Sequence, residues 1–131
     1  MISRKEVRIF DQASLLKRVN GDVELFHEMI ELFLEQTPQQ LNALNTALQA
    51  EDFVAINHHA HSLKGSARTI GANALSEAAF QLEIASKKSK LEGNDELLNK
   101  IVYEFEEFKR VAKSFKNSAS EQEKMQKEKE L

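Results

Sequence analysis

The 131-residue chain contains no cysteine and no tryptophan, and it has only one proline and four glycines. Without cysteine, neither a disulfide framework nor a thiolate metal site can form. The scarcity of proline and glycine, with 41% hydrophobic residues, is typical of an all-helical protein. No apolar run reaches the roughly 18 residues of a membrane span, and no signal-peptide core is present. We therefore expect a cytoplasmic monomer, and the net charge of −3 gives no reason to expect nucleic acid as a partner.

Apolar residues recur at helical spacing along most of the chain. A short helix is predicted from the N-cap Asp11 to Val19, and a long helix from Asp22 whose apolar stripe continues past Pro38. Because a break would reset the stripe, one kinked helix is favoured over two. Three further helices are predicted, running from Asp52 to Gly71, from the cap Asn73 onward, and from Asp95 onward.

These helices predict an all-α, antiparallel four-helix bundle preceded by a small helix. The expected domain covers residues 10–116. Residues 1–9 are interpreted as a leader anchored by Phe10, because they show little periodicity. Residues 117–131 are polar and lack an apolar stripe, so we expect a polar C-terminal tail, either a frayed helix or disordered.

The helix between Asp52 and Gly71 has two distinct faces. One is a continuous apolar stripe of Ile56, Ala60, Leu63, Ala67 and Ile70. The other carries His61, Lys64, Gly65 and Arg68 at similar spacing. A neutral imidazole is a good nucleophile toward phosphorus, and neighbouring cations stabilise an added phosphoryl group. Gly65 weakens a helix, so we expect it to keep the approach to His61 open.

The segment His-Ser-Leu-Lys-Gly, which starts at His61 and is followed by five residues and Gly71, resembles the phosphoacceptor motif of histidine-containing phosphotransfer (HPt) domains. The resemblance extends to Gly21–Leu25, to Phe33-Leu34 before Thr37-Pro38, and to Leu82-Glu83. It implies that His61 accepts a phosphoryl group, assisted by Lys64 and Gly65.

The resemblance also implies partners and the absence of a cofactor. Response-regulator receiver domains and a hybrid histidine kinase are the expected partners, and the receiver supplies Mg²⁺. This chain is then a phosphoryl carrier without an ATP site or a cofactor of its own, either free-standing or part of a hybrid kinase.

Several assignments stay open. The same fold occurs as the histidine domain of chemotaxis-type kinases, and a helical scaffold or a metal-binding module with His58 and His61 as ligands is a third interpretation. Arg68 shares the face of Lys64, and His58 would border a docking surface. Glu83 either orients the imidazole or is a surface acid, with Gln81 as a weaker candidate. Lys64 is expected to be an exposed cation that acts on the phosphoryl group, and Phe80 to be covered by the small N-terminal helix.

Overall fold

The computed structural model describes the backbone of residues 4–88 and 93–129 and the side chains of residues 5–88 and 93–114. Within these ranges there are no strands, and the helices are α1 (Arg4–Ile9), α2 (Gln12–Arg18), α3 (Val23–Gln49), α4 (Phe53–Ile70), α5 (Asn73–Lys87) and α6 (Asn94–Lys129). Each long helix packs against two others, in the order α3, α4, α5, α6 and back to α3. The predicted four-helix bundle is therefore confirmed.

Aspartate N-caps begin three of the helices, and the cap at Asp11 confirms its prediction from the sequence. The carboxylates of Asp11, Asp22 and Asp52 accept hydrogen bonds from the backbone N–H groups of Ser14, Leu25 and Ala55, respectively.

Asn73, in contrast, was predicted as the cap of α5 and is instead its first helical residue. Ala72 occupies the cap position, and no side chain caps this helix. The turn after α4 closes when the N–H of Ala72 donates to the carbonyl of Ala67, so α5 begins immediately afterwards.

A single apolar core fills the bundle, and four of its phenylalanines contact one another. Phe10 packs against Phe26 and Phe108, and Phe33 also contacts Phe108, with ring centroids 5.1 to 6.0 Å apart. Helix α3 runs through Pro38 without a break, which confirms one helix rather than two. The Thr37 hydroxyl, buried beside the proline, donates to the carbonyl of Phe33.

The N-terminal end of the chain differs from its prediction, whereas the helix at the C-terminal end is one of the two predicted alternatives. Residues 4–9, predicted as part of a leader, form α1, which packs against α5 and α6 and buries Ile9. A helix of six residues is too short to show a period, which explains why the pattern missed it. At the other end, α6 remains helical to Lys129. Phe115, which continues the apolar spacing of this helix in the sequence and is expected to face inward, lies outside the described side chains.

In the described part of the chain, no helix combines the length and the apolarity that crossing a membrane requires.

Candidate functional site

Helix α4 exposes its charged face to solvent because the opposite, apolar face is buried in the core. All five residues of the predicted stripe are at most 3% exposed: Ile56, Ala60, Leu63, Ala67 and Ile70. The rotation of α4 is thereby set, and the row that begins with His61 lies on the surface between α4 and α5.

Gly71 ends α4 in the left-handed conformation, with φ +89°. A Cβ at this position would lie 2.7 Å from the carbonyl oxygen of Asp11. The carbonyl of Gly71 in turn accepts the backbone N–H of Asp11 at 2.8 Å. Glycine is thus required both by the backbone conformation and by the close approach of the start of α2.

His61 is exposed, but one of its ring nitrogens is held. Its side chain is 66% exposed, and Nδ1 lies 2.8 Å from Oε1 of Glu83 on α5. Glu83 is only 5% exposed, so the interpretation of this residue as a surface acid does not fit its position.

The second carboxylate oxygen of Glu83 faces Lys64. Its Oε2 lies 2.8 Å from Nζ of Lys64, whose side chain is only 25% exposed. Lys64, and then His61, lower the pKa of Glu83 below its ordinary value, although burial acts in the opposite direction. Lys64 is therefore a partly buried ion-pair partner, in contrast to the exposed cation expected from the sequence.

The charge of Glu83 decides which nitrogen of His61 carries the proton. A carboxylate that is ionised at neutral pH can only accept hydrogen bonds. Nδ1 of His61 must then be the donor, which leaves the lone pair of the neutral ring on Nε2.

The remaining residues of this surface differ in how they are held. Around Gly65 there is open space, because a Cβ added there would meet nothing within 4 Å. Arg68 is exposed and, with Lys64 and Phe80, lines a shallow depression beside the histidine row. Phe80 is 38% exposed and lies under the ammonium of Lys64, 5.1 Å from Nζ to the ring centroid. The prediction that α2 covers Phe80 is wrong, because this face of α5 is turned toward α4.

His58 and Gln81 have other partners. The ring of His58 lies edge-on to that of His59, with centroids 5.4 Å apart. The amide of Gln81 donates to Glu77, one turn away on α5. Among the described residues, no three or more histidine, cysteine or acidic side chains are grouped so that they could hold a metal ion.

Sequence reasoning missed three polar residues between α4 and α5. Asn57, Ser76 and Ser86 form hydrogen bonds across this interface, and the two serines are at most 9% exposed. The available signal was their helical spacing from Lys64 and Glu83, but serine and asparagine are common at surfaces and drew no attention.

Comparison with known proteins gives one family match. A family model described as "Hpt domain" matches residues 28–120. The phosphorelay intermediate protein rdeA of Dictyostelium discoideum is 26% identical over 109 residues, which cover 83% of this chain and 43% of that protein. The chain therefore spans less than half the length of this relative.

Two solved structures share the fold. Histidine-containing phosphotransfer protein B (HptB) from Pseudomonas aeruginosa PAO1 has a TM-score of 0.76 at 24% identity, with 81% of this chain and 92% of that chain covered. The HPT domain of the Hpt sensor hybrid histidine kinase from Shewanella has a TM-score of 0.63 at 22% identity, with 88% and 97% covered. The family match spans more than half of this chain and includes His61, Lys64 and Gly65. The chain belongs to the Hpt domain family, the histidine-containing phosphotransfer domains of two-component signalling.

Proposed function

We propose that this chain is a phosphorelay intermediate that carries a phosphoryl group on Nε2 of His61. It accepts the group from the aspartyl phosphate of a receiver domain and passes it to, or back from, a response regulator. The observation that carries this proposal is an imidazole that is 66% exposed while its Nδ1 is held by a buried carboxylate. Family membership supports the same role.

The transfer step needs no cofactor on this chain. The lone pair on Nε2 attacks phosphorus, the Nε2–P bond forms, and the P–O bond to the receiver aspartate breaks with its electron pair left on that carboxylate. The proton on Nδ1 stays in place, and Glu83 stabilises the positive charge that the ring acquires. The reverse transfer follows the same path. A carboxylate oxygen of the receiver attacks phosphorus, and the Nε2–P bond breaks with its electron pair returning to Nε2, because the neutral imidazole is a good leaving group.

Cations near His61 act on the phosphoryl group. This group carries close to two negative charges, and Lys64 and Arg68 lie one and two turns after His61 on the same helix. Because Glu83 neutralises much of the charge of Lys64, the exposed Arg68 is the more available of the two. Gly65 lies between them and leaves room for the receiver.

The other requirements are assigned to the partner. Phosphoryl transfer depends on positioning and on charge stabilisation, and we assign Mg²⁺ and the reacting aspartate to the receiver domain. We place the chain in the cytoplasm as a monomer that meets receiver domains and a hybrid histidine kinase. His58, exposed one turn before His61, borders the docking surface.

Phosphotransfer from a receiver domain that is phosphorylated on its aspartate tests this function. We expect an acid-labile adduct that maps to His61, no adduct on His61→Gln, and a normal adduct on the control His58→Gln. A label on His58 or His59, or an active His61→Gln variant, would disprove the assignment. If the wild-type chain accepts the phosphoryl group from none of the receiver domains of its host, a scaffold role is favoured.

A further inference from the structure

A side chain of α4 holds the backbone of Glu83. The amide nitrogen of Asn57 donates to the main-chain carbonyl of Glu83 at 3.2 Å and to the hydroxyl oxygen of Ser86 at 3.1 Å. The Ser86 hydroxyl in turn donates to the same carbonyl at 2.7 Å. Ser86 is 3% exposed and Asn57 is half-buried, so this contact is largely shielded from solvent.

A side chain of α5 holds the backbone of Lys64 in the same manner. The hydroxyl of Ser76 donates to the main-chain carbonyl of Lys64 at 2.9 Å, and Ser76 is 9% exposed. The arrangement is reciprocal, because Lys64 and Glu83 form the ion pair of the site and each is tied by its carbonyl to the opposite helix.

We propose that Asn57 and Ser76, with Ser86, act as positioning residues that fix the register of α4 against α5 and so keep Glu83 on Nδ1 of His61. We call these three residues the interhelical clamp. The proposal rests on the phosphoacceptor role of His61 and adds residues whose hydrogen bonds go to the backbone of Lys64 and Glu83.

The helices need such a device because their apolar contact is not directional. The buried residues of the two helices include Ala60 and Ala67 of α4 and Ala79 of α5, and alanine packing opposes sliding only weakly compared with hydrogen bonds of defined geometry. Each residue adds about 1.5 Å of rise to a helix. A slip of one residue would therefore take the carboxylate of Glu83 out of hydrogen-bond reach of His61.

Loss of the clamp should change the protonation of His61 and not only the stability of the protein. Without a fixed carboxylate, the neutral ring is no longer held in the form with its proton on Nδ1. A fraction of the molecules then carries the proton on Nε2, where it blocks attack on phosphorus.

The experiment uses the full chain and three measurements on each variant. Asn57→Ala and Ser76→Ala each remove one arm of the clamp. Thr37→Val is the matched control, because it removes a buried side-chain-to-carbonyl hydrogen bond within α3. The tautomer of His61 is determined from its ¹⁵N chemical shifts, and the stability of the protein from urea unfolding. The rate of transfer is measured with a phosphorylated receiver domain.

We expect Asn57→Ala to move the His61 ring from the Nδ1-protonated form toward a mixture and to slow phosphotransfer about fivefold, the effect of one net hydrogen bond. Ser76→Ala should act in the same direction and Thr37→Val should change stability alone. If the tautomer of His61 stays as in the wild type in both clamp variants, the clamp is only structural and the proposal is wrong.

The same conclusion holds if a variant slows transfer with an unchanged tautomer, since the lost group then acts on the partner. The tautomer is read on the isolated protein, so it judges the clamp even if the wild-type chain fails to accept a phosphoryl group. Should Asn57→Ala not fold, Ser76→Ala alone decides.

Discussion

Glu83 brings a negative charge into the bundle, and both of its carboxylate oxygens have partners from α4. Oε1 accepts the Nδ1 proton of His61 and Oε2 pairs with Lys64. A buried carboxylate without partners would be strongly destabilising. The three side chains therefore form one unit, and a change to any member alters the other two.

The pKa of Glu83 leads to a prediction for acid stability. Because Lys64 and then His61 lower this pKa in the folded protein, ionised Glu83 contributes stability that is fully present above the unfolded value of 4.5. That contribution is lost as the pH falls through the lower folded value. The stability difference between the wild type and Glu83→Gln should therefore shrink below pH 4.5. Urea unfolding over a pH series measures it, and parallel pH profiles for the two proteins would refute the prediction.

Replacing Lys64 should affect the free protein as well as the phosphorylated one. In Lys64→Met the largest cause of the low pKa of Glu83 is gone and burial still opposes ionisation, so the pKa of Glu83 should rise. Breaking one side of a largely buried pair should also cost about 1 kcal/mol or more of stability. The cost should be smaller in a Glu83→Gln background. Carboxyl ¹³C titration and a double-mutant cycle test this, and an unchanged Glu83 titration would contradict it.

For individual residues, the sequence predicts which side chains share one face of a single helix. The shared face of His61, Lys64 and Gly65 follows from helical spacing alone. The contact between Glu83 and His61 joins residues 22 positions apart, so it depends on how α5 packs. For the same reason the exposure of Lys64 and Phe80 was predicted wrongly, since each is set by a neighbour on the opposite helix.

Among the elements, α4 is the one whose limits and orientation follow most directly from sequence. Its start at Asp52, its buried stripe and its left-handed end at Gly71 all agree with the prediction, although Asp52 is the N-cap of the helix and not part of its first turn. The start of α5 was predicted one residue too late, because it depends on a backbone turn. Helix α1 was not predicted, because it is too short for periodicity.

Gly65 within α4 and Gly71 at its C-terminal end give a matched pair of alanine substitutions. At Gly65, within α4 and facing open space, alanine should raise the free energy of unfolding by up to about 1 kcal/mol. At Gly71, alanine must adopt φ +89° and meets the Asp11 carbonyl, so it should cost about 2 kcal/mol or more. Urea unfolding should show a higher free energy of unfolding for Gly65→Ala than for the wild type, and a lower one for Gly71→Ala. A loss of stability in Gly65→Ala would mean that this glycine is needed for folding.

A larger side chain at Gly65 separates access from folding. Gly65→Gln should fold as well as Gly65→Ala, because the site is open, but it should slow phosphotransfer by crowding the receiver. Transfer at the wild-type rate would show that access to His61 does not depend on this glycine.

For the whole molecule, apolar periodicity was sufficient to predict the class of fold. Four long stripes must each bury one face, and a closed ring of neighbouring helices does so. The position of α1 on this ring could not be predicted, because it depends on one buried residue, Ile9, and on a surface that exists only after α5 and α6 have packed.

Residues 117–131 form a polar segment that neither the fold nor phosphotransfer should require. The described buried residues of α6 end at Ala112, the family match ends at residue 120, and the sequence beyond residue 116 has no apolar stripe. A polar helix that buries no apolar face contributes little to stability. A chain that ends at residue 116 should therefore unfold within about 0.5 kcal/mol of the full chain and accept a phosphoryl group at the same rate. A chain that ends at residue 107 is the control, because it also removes Phe108 and Ala112 from the core and should not fold. A marked loss of stability in the chain that ends at residue 116 would contradict this prediction, because part of the core would then lie beyond that residue.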